Sequence, residues 1–231
     1  MRISIKIFAT SLIFCMTCTA FGAGGGEMSP RQLGADPNVA RNETPEHLAL
    51  IQYNYGVRAV EKADAISADA ARQTDPKKQA KLAAKARTVY SAALQRLLKA
   101  TELNRSMHEA WNYLGYTSRK LGNYEDALLA YDRALSLKPG YPEAIEYRAH
   151  AYLGLSRLSE AKEAYLTLYA GNRKMAAQLL AAMQAWVREH RGNPAGVDGA
   201  MLESFASWVS ERSIIAGQTV GLTREGAAAA W

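Results

Sequence analysis

The chain has 231 residues, 48% of them hydrophobic, and carries 28 Lys and Arg against 22 Asp and Glu, a formal charge of +6. That length is ample for one hydrophobic core. The positive excess is mild and spread out, with no basic block beyond Pro76-Lys77-Lys78, which argues against nucleic acid as a partner.

Residues 1–22 carry Arg2 and Lys6, an apolar run from Ile7 to about Met16, and Ala20-Phe21-Gly22, an A-x-G ending suited to cleavage before Ala23. This reads as a secretory signal peptide. The apolar run falls short of the ~20 residues that span a bilayer, so a membrane anchor is disfavoured. Cys15 and Cys18 both lie inside this segment, and neither has the small residue just before it that a lipobox requires. Cleavage leaves a chain without cysteine, hence without disulfide or thiol chemistry. The expected compartment is the periplasm of a Gram-negative envelope, with full secretion as the alternative. Residues 23–45 are rich in Gly, Pro and Asn (Gly24-Gly25-Gly26, Ser29-Pro30, Asp36-Pro37-Asn38) and read as a flexible tether.

Two long helices follow, over 46–72 and 76–103. Between them Thr74-Asp75-Pro76 offers a capping side chain and a proline at the first helical position. Ala93, Leu97, Ala100 and Leu103 make an apolar stripe on the second helix. Leu50, Tyr53, Val57 and Val60 make another on the first, to be covered by C-terminal helices or left open as a hydrophobic groove.

The next stretch is the most legible. Trp111, Leu114, Ser118 and Leu121 share one helical face, and Gly115 and Ala127 are small enough for two helices to approach closely. Leu121-Gly122-Asn123 ends the first helix. Tyr124, Ala127, Leu128, Tyr131, Ala134 and Leu135 give the second its apolar stripe, and Lys138-Pro139-Gly140 stops it. Trp111, Leu114, Gly115, Ala127, Tyr131, Ala134 and Pro139 resemble the tetratricopeptide repeat, a helix–turn–helix unit of about 34 residues with W-x2-L-G, then A-x3-F, then P. One repeat further on, Leu155, Ala161 and Tyr165 answer to Leu121, Ala127 and Tyr131, while Ile145 stands at the Trp position. The resemblance is strongest at 108–141, weaker at 142–170, and covers 46–170 with an elongated first hairpin. It implies an all-α, right-handed superhelix of about three hairpins, because one such hairpin cannot bury its apolar face alone.

Residues 171–231 supply two more helices, Met175–His190 and Ala200 to about Ala216, which are expected to cap the last repeat. Their apolar stripes are Leu179, Leu180, Met183, Trp186 and Val187, then Leu202, Phe205, Trp208, Val209 and Ile215. The tail ends in Trp231, which either docks back or frays.

No catalytic arrangement is readable. His47, His108, His150 and His190 form no H-E-x-x-H pair, and there is no G-x-S-x-G elbow or phosphate loop. No cofactor or metal is expected, and the chain is not read as an enzyme. The resemblance instead directs attention to the first helix of each repeat, which lines the inside of the superhelix in this family. The residues opposite the packing stripe are Glu109, Asn112, Tyr116 and Arg119, then Glu143, Glu146, His150 and Leu153. They are expected to line a protein-binding groove and to be exposed. The carboxylate clamp of chaperone-binding relatives wants Lys and Asn where Asn112 and Tyr116 stand, so recognition of a free peptide C-terminus is not indicated. The resulting expectation is an exported adaptor or scaffold for a protein or peptide partner in envelope processes. No transmembrane segment is expected after signal removal, and peripheral membrane association is left open. A periplasmic holdase is the first alternative, and an enzyme with an unreadable site the second.

Overall fold

Two prolines open the first hairpin. Thr44 accepts the His47 N–H through its hydroxyl at 3.2 Å, Pro45 takes the first helical position, and α1 runs Pro45–Ala71. Asp75 accepts the Lys77 N–H at 2.9 Å, Pro76 follows, and α2 runs Pro76–Leu103. These ends lie within a residue of the sequence expectation. The computed structural model describes residues 44–192 and 196–228, with side chains as far as Gln218. The expected signal peptide, nearly all of the tether, and Trp231 lie outside the described residues.

Contacts between α1 and α2 run in opposite order: Gln52 meets Arg96 and Asp64 meets Tyr90, so the two helices are antiparallel. A Cβ on Gly56 would stand 2.7 Å from the Leu97 side chain, so glycine here lets the backbones close up. The next helices are α3 (His108–Lys120), α4 (Tyr124–Leu137), α5 (Pro142–Gly154), α6 (Leu158–Gly171), α7 (Arg173–Gly192) and α8 (Gly199–Ala228). Each helix packs on the next, and alternate helices also touch: α1 on α3, α3 on α5, α5 on α7. This is the stacking of an α-solenoid, and no strand occurs among the described residues.

The repeat length is visible in the core. Ala93, Ala127 and Ala161 are each fully buried. Leu97, Tyr131 and Tyr165 occupy the next equivalent position, and Ala100, Ala134 and Leu168 the one after; all six are buried. The second helix of the elongated hairpin is therefore in register with those of the two repeats that follow. The short turns recur as well. After α3, Asn123 N–H reaches Ser118 O at 2.9 Å and Gly122 N–H reaches Arg119 O at 3.0 Å, with Gly122 at φ +87°. After α5, Arg157 N–H reaches Tyr152 O at 2.8 Å and Ser156 N–H reaches Leu153 O at 3.1 Å. Both are Schellman endings.

Trp111 is a half-buried residue, packed on the core by one side, with its indole N–H on Arg105 O at 3.0 Å. The sequence places it on the packing stripe with Leu114 and Leu121; it also lines an open surface beside Leu98, Thr101 and Arg105.

The last helices close the stack. Asn172 accepts the Met175 N–H at 3.1 Å and so starts α7 two residues earlier than expected, at Arg173. Leu179, Met183 and Trp186 of α7 and Phe205 of α8 are buried in one cluster with Leu158, Tyr165 and Leu168. The Trp186 indole N–H donates to Leu153 O at 2.8 Å, which ties α7 to α5. α8 packs on α7 and extends to Ala228 rather than ending near Ala216. The C-terminal helices do not fold over the Leu50/Tyr53/Val57/Val60 stripe. Val60 is buried in the hairpin core, Tyr53 lies edge-on to Tyr113 at 5.6 Å, and Leu50 is 46% exposed.

Candidate functional site

The first helices α1, α3 and α5 lie side by side, and the residues they share define the candidate surface. At one end Asp64 of α1 is a hub. Tyr116 of α3 donates its hydroxyl to both carboxylate oxygens at 2.9 Å, Tyr90 of α2 donates to the same carboxylate, and Lys120 pairs with it at 3.3 Å. Burial first, and then donation to the Asp64 carboxylate, push the Tyr116 and Tyr90 hydroxyls well above the ordinary tyrosine range. Above this hub the Arg119 guanidinium lies over the Tyr116 ring at 5.1 Å and the Tyr147 ring at 6.0 Å, and those rings meet edge-on at 5.2 Å.

At the other end Tyr53, Tyr113, Tyr141 and Tyr147 gather with Glu109 and Glu143. Burial is the main cause that raises Tyr53 and Tyr141 to about 12. The Glu109 carboxylate adds to both, and Glu143 adds to Tyr141. Tyr113 and Tyr147 are raised as well, again chiefly by burial. His108 stands edge-on to Tyr141 at 5.0 Å and contacts Glu109 at 3.2 Å. Between α5 and α7 a cleft of about 470 Å³ opens, lined by Arg119, His150, Trp186, Glu189 and His190 among others.

Of the eight residues expected on an exposed stripe, Glu109, Tyr116, Arg119, Glu143 and His150 are partly exposed. Three are not exposed, which corrects the sequence reading. Asn112 is 2% exposed, Glu146 6% and Leu153 5%. The reason is packing. Helix α3 is flanked by α1, α2, α4 and α5, and α5 by α3, α4, α6 and α7, so only a narrow strip of each first helix stays open. Glu146 is satisfied within its own helix by His150 at 2.7 Å, and Leu153 belongs to the capping core.

Lys162 of α6 faces α8. Its ammonium lies 5.6 Å from the Phe205 ring and 5.5 Å from the Trp208 ring, so it is part of the α6–α8 packing. Sequence reasoning missed Asp64, Tyr113 and Tyr147. The two tyrosines stand one repeat apart, each four residues after a glutamate (Glu109, Glu143), and that recurrence was available as a signal. Asp64 has no counterpart in the later repeats and gave none.

Among the described residues no group of three His, Cys, Asp or Glu side chains is arranged to hold a metal, and no helix is long and apolar enough to cross a membrane. Stacked helical hairpins with a polar, aromatic first-helix face define a repeat scaffold. The family model for the tetratricopeptide repeat matches residues 108–141, and the all-helical stack around that repeat is consistent with a tetratricopeptide-like solenoid. No curated protein matches it. Repeats of this kind typically act as non-catalytic scaffolds that bind other proteins.

Proposed function

We propose that the protein is an exported adaptor whose first-helix face, between Tyr53 and Arg119, captures a protein partner in the bacterial envelope. One observation carries the reading. Tyr53, Tyr113, Tyr116 and Tyr147 from three successive first helices come together with Arg119. Tyr and Arg are the residues in which interface energy concentrates, and here the rings are held against one another and the Tyr116 hydroxyl is held by Asp64. A surface ordered in this way suits selective recognition better than the indiscriminate apolar capture of a holdase.

Export rests on Arg2, Lys6, the short apolar run and Ala20-Phe21-Gly22. Intact-mass measurement of the protein from its producing cell is expected to give a chain beginning at Ala23. A species that keeps residues 1–22 removes the envelope from the proposal. Binding is tested by crosslinking and pull-down from envelope fractions with three proteins: wild type, Tyr113→Leu/Tyr147→Leu, and Gln95→Ala/Asp126→Ala on exposed positions of the second helices. Circular dichroism confirms the fold of each. The account expects loss of the partner in the tyrosine variant alone. Equal recovery by all three would falsify the assignment of this face.

A further inference from the structure

The tyrosines of the first-helix face differ in what lies over them. Arg119 covers Tyr116 and Tyr147, Lys120 covers Tyr116 and Tyr90, and Lys138 stands 4.7 Å from the centre of Tyr141. Tyr53 and Tyr113, which meet edge-on, have no cation over their rings among the described residues. The nearby carboxylates are also short of cations. Glu109 is paired only with His108, and Glu143 has no ion pair among the described residues. Glu109 with Tyr113, and Glu143 with Tyr147, are i,i+4 pairs at equivalent places in two consecutive repeats, so the same acidic and aromatic couple is presented twice on adjacent helices. In the following repeat Ala177 and Ala181 stand at these places, so the ladder has two rungs.

We propose that this face takes an extended, basic segment of the partner, one Lys or Arg seated among Tyr53, Tyr113 and Glu109 and a second at the Glu143 carboxylate, the Tyr147 ring being already covered by Arg119. The proposal rests on the binding face assigned above and names the chemistry of what it binds. An aromatic ring with a carboxylate beside it attracts a cation twice, through the ring quadrupole and through charge. Neighbouring helices stand roughly 8–10 Å apart. A chain in the extended polyproline conformation advances about 3.1 Å per residue with three residues per turn, so cations three residues apart share a face and match the two rungs. The carboxylates also oppose the chain's overall charge of +6, so a basic segment bound here is held by this local patch against the net field.

The test is fluorescence anisotropy of labelled peptides on the purified mature chain. One peptide carries lysine at every third position in a Gly/Ala background, one carries glutamate at the same positions, and one groups its lysines together. The spaced-lysine peptide is expected to bind best, to weaken as salt rises, and to weaken by about tenfold with Glu109→Gln/Glu143→Gln, a change that keeps shape and removes charge. A glutamate peptide bound as tightly, undiminished affinity in the Gln variant, or no binding of the spaced-lysine peptide each overturns the cation preference. If partner capture still depends on Tyr113 and Tyr147 in that case, the binding face stands without it. If capture is indifferent to them, both readings fall.

Discussion

Gly115 shows what a single position does in this fold. A Cβ added there would stand 2.7 Å from the Tyr131 ring, and Tyr131 is fully buried with nowhere to move. Gly115→Ala is therefore expected to destabilise by roughly 1–3 kcal/mol, the usual cost of overpacking a core. Gly171→Ala is the matched control, because an added methyl there meets nothing within 4 Å. Urea midpoints of the two variants decide the point, and equal midpoints would contradict the close α3–α4 approach. The small Gly115 made a close helix approach legible, although the sequence reading set it opposite Ala127 and the structure sets it against the Tyr131 ring. Residue identity did not make Asn112 or Glu146 legible. Their burial comes from four neighbouring helices, and a helical wheel drawn on one helix cannot contain that information.

At the scale of the element, the two Schellman endings offer a natural comparison. Gly122 at φ +87° and Ser156 at φ +55° do the same work one repeat apart. Left-handed backbone costs an L-residue about 1–2 kcal/mol, part of which glycine gives back through its freer unfolded chain. Ser156→Gly is expected to stabilise by about 0.5–1 kcal/mol and Gly122→Ala to destabilise by about 1 kcal/mol. Denaturation of both variants checks the pair, and a lower midpoint for Ser156→Gly contradicts the shared geometry. Helix ends, turns and the 108–141 hairpin were readable because capping and repeat chemistry are local. Both helices of the elongated first hairpin were readable, but only the second, where Ala93, Leu97 and Ala100 keep the register of the repeats, could be aligned to them. Its first helix is tied in by Asp64, and that hub depends on α1, α2 and α3 meeting in space.

Across the whole molecule, tyrosine links stability to alkaline pH. The chain has 12 tyrosines. Those at 53 and 141 are raised to about 12, and those at 90, 116 and 131 are pushed higher still, in each case chiefly by burial. A folded value above the unfolded 10.0 means that the fold favours the neutral hydroxyl. This contribution is complete below pH 10 and is lost as pH rises from 10 through 12 and beyond. Melting temperature is expected to fall above pH 10, and phenolate absorbance near pH 11 to report fewer ionised tyrosines than the unfolded chain shows. Ionisation of all of them near pH 10 without loss of stability would contradict the packing of this face.

The central claim is that the partner sits on the first-helix face. Site-specific photocrosslinking in the producing cell tests it most directly, with a benzophenone residue placed in turn at Leu50 and Val57, which flank Tyr53 on α1 and leave the tyrosines intact, and at Gln95 and Asp126. Covalent adducts of one discrete mass from Leu50 and Val57, with none from Gln95 and Asp126, are the predicted result. Adducts only from the two second-helix positions would move the binding surface to the opposite side and contradict the account.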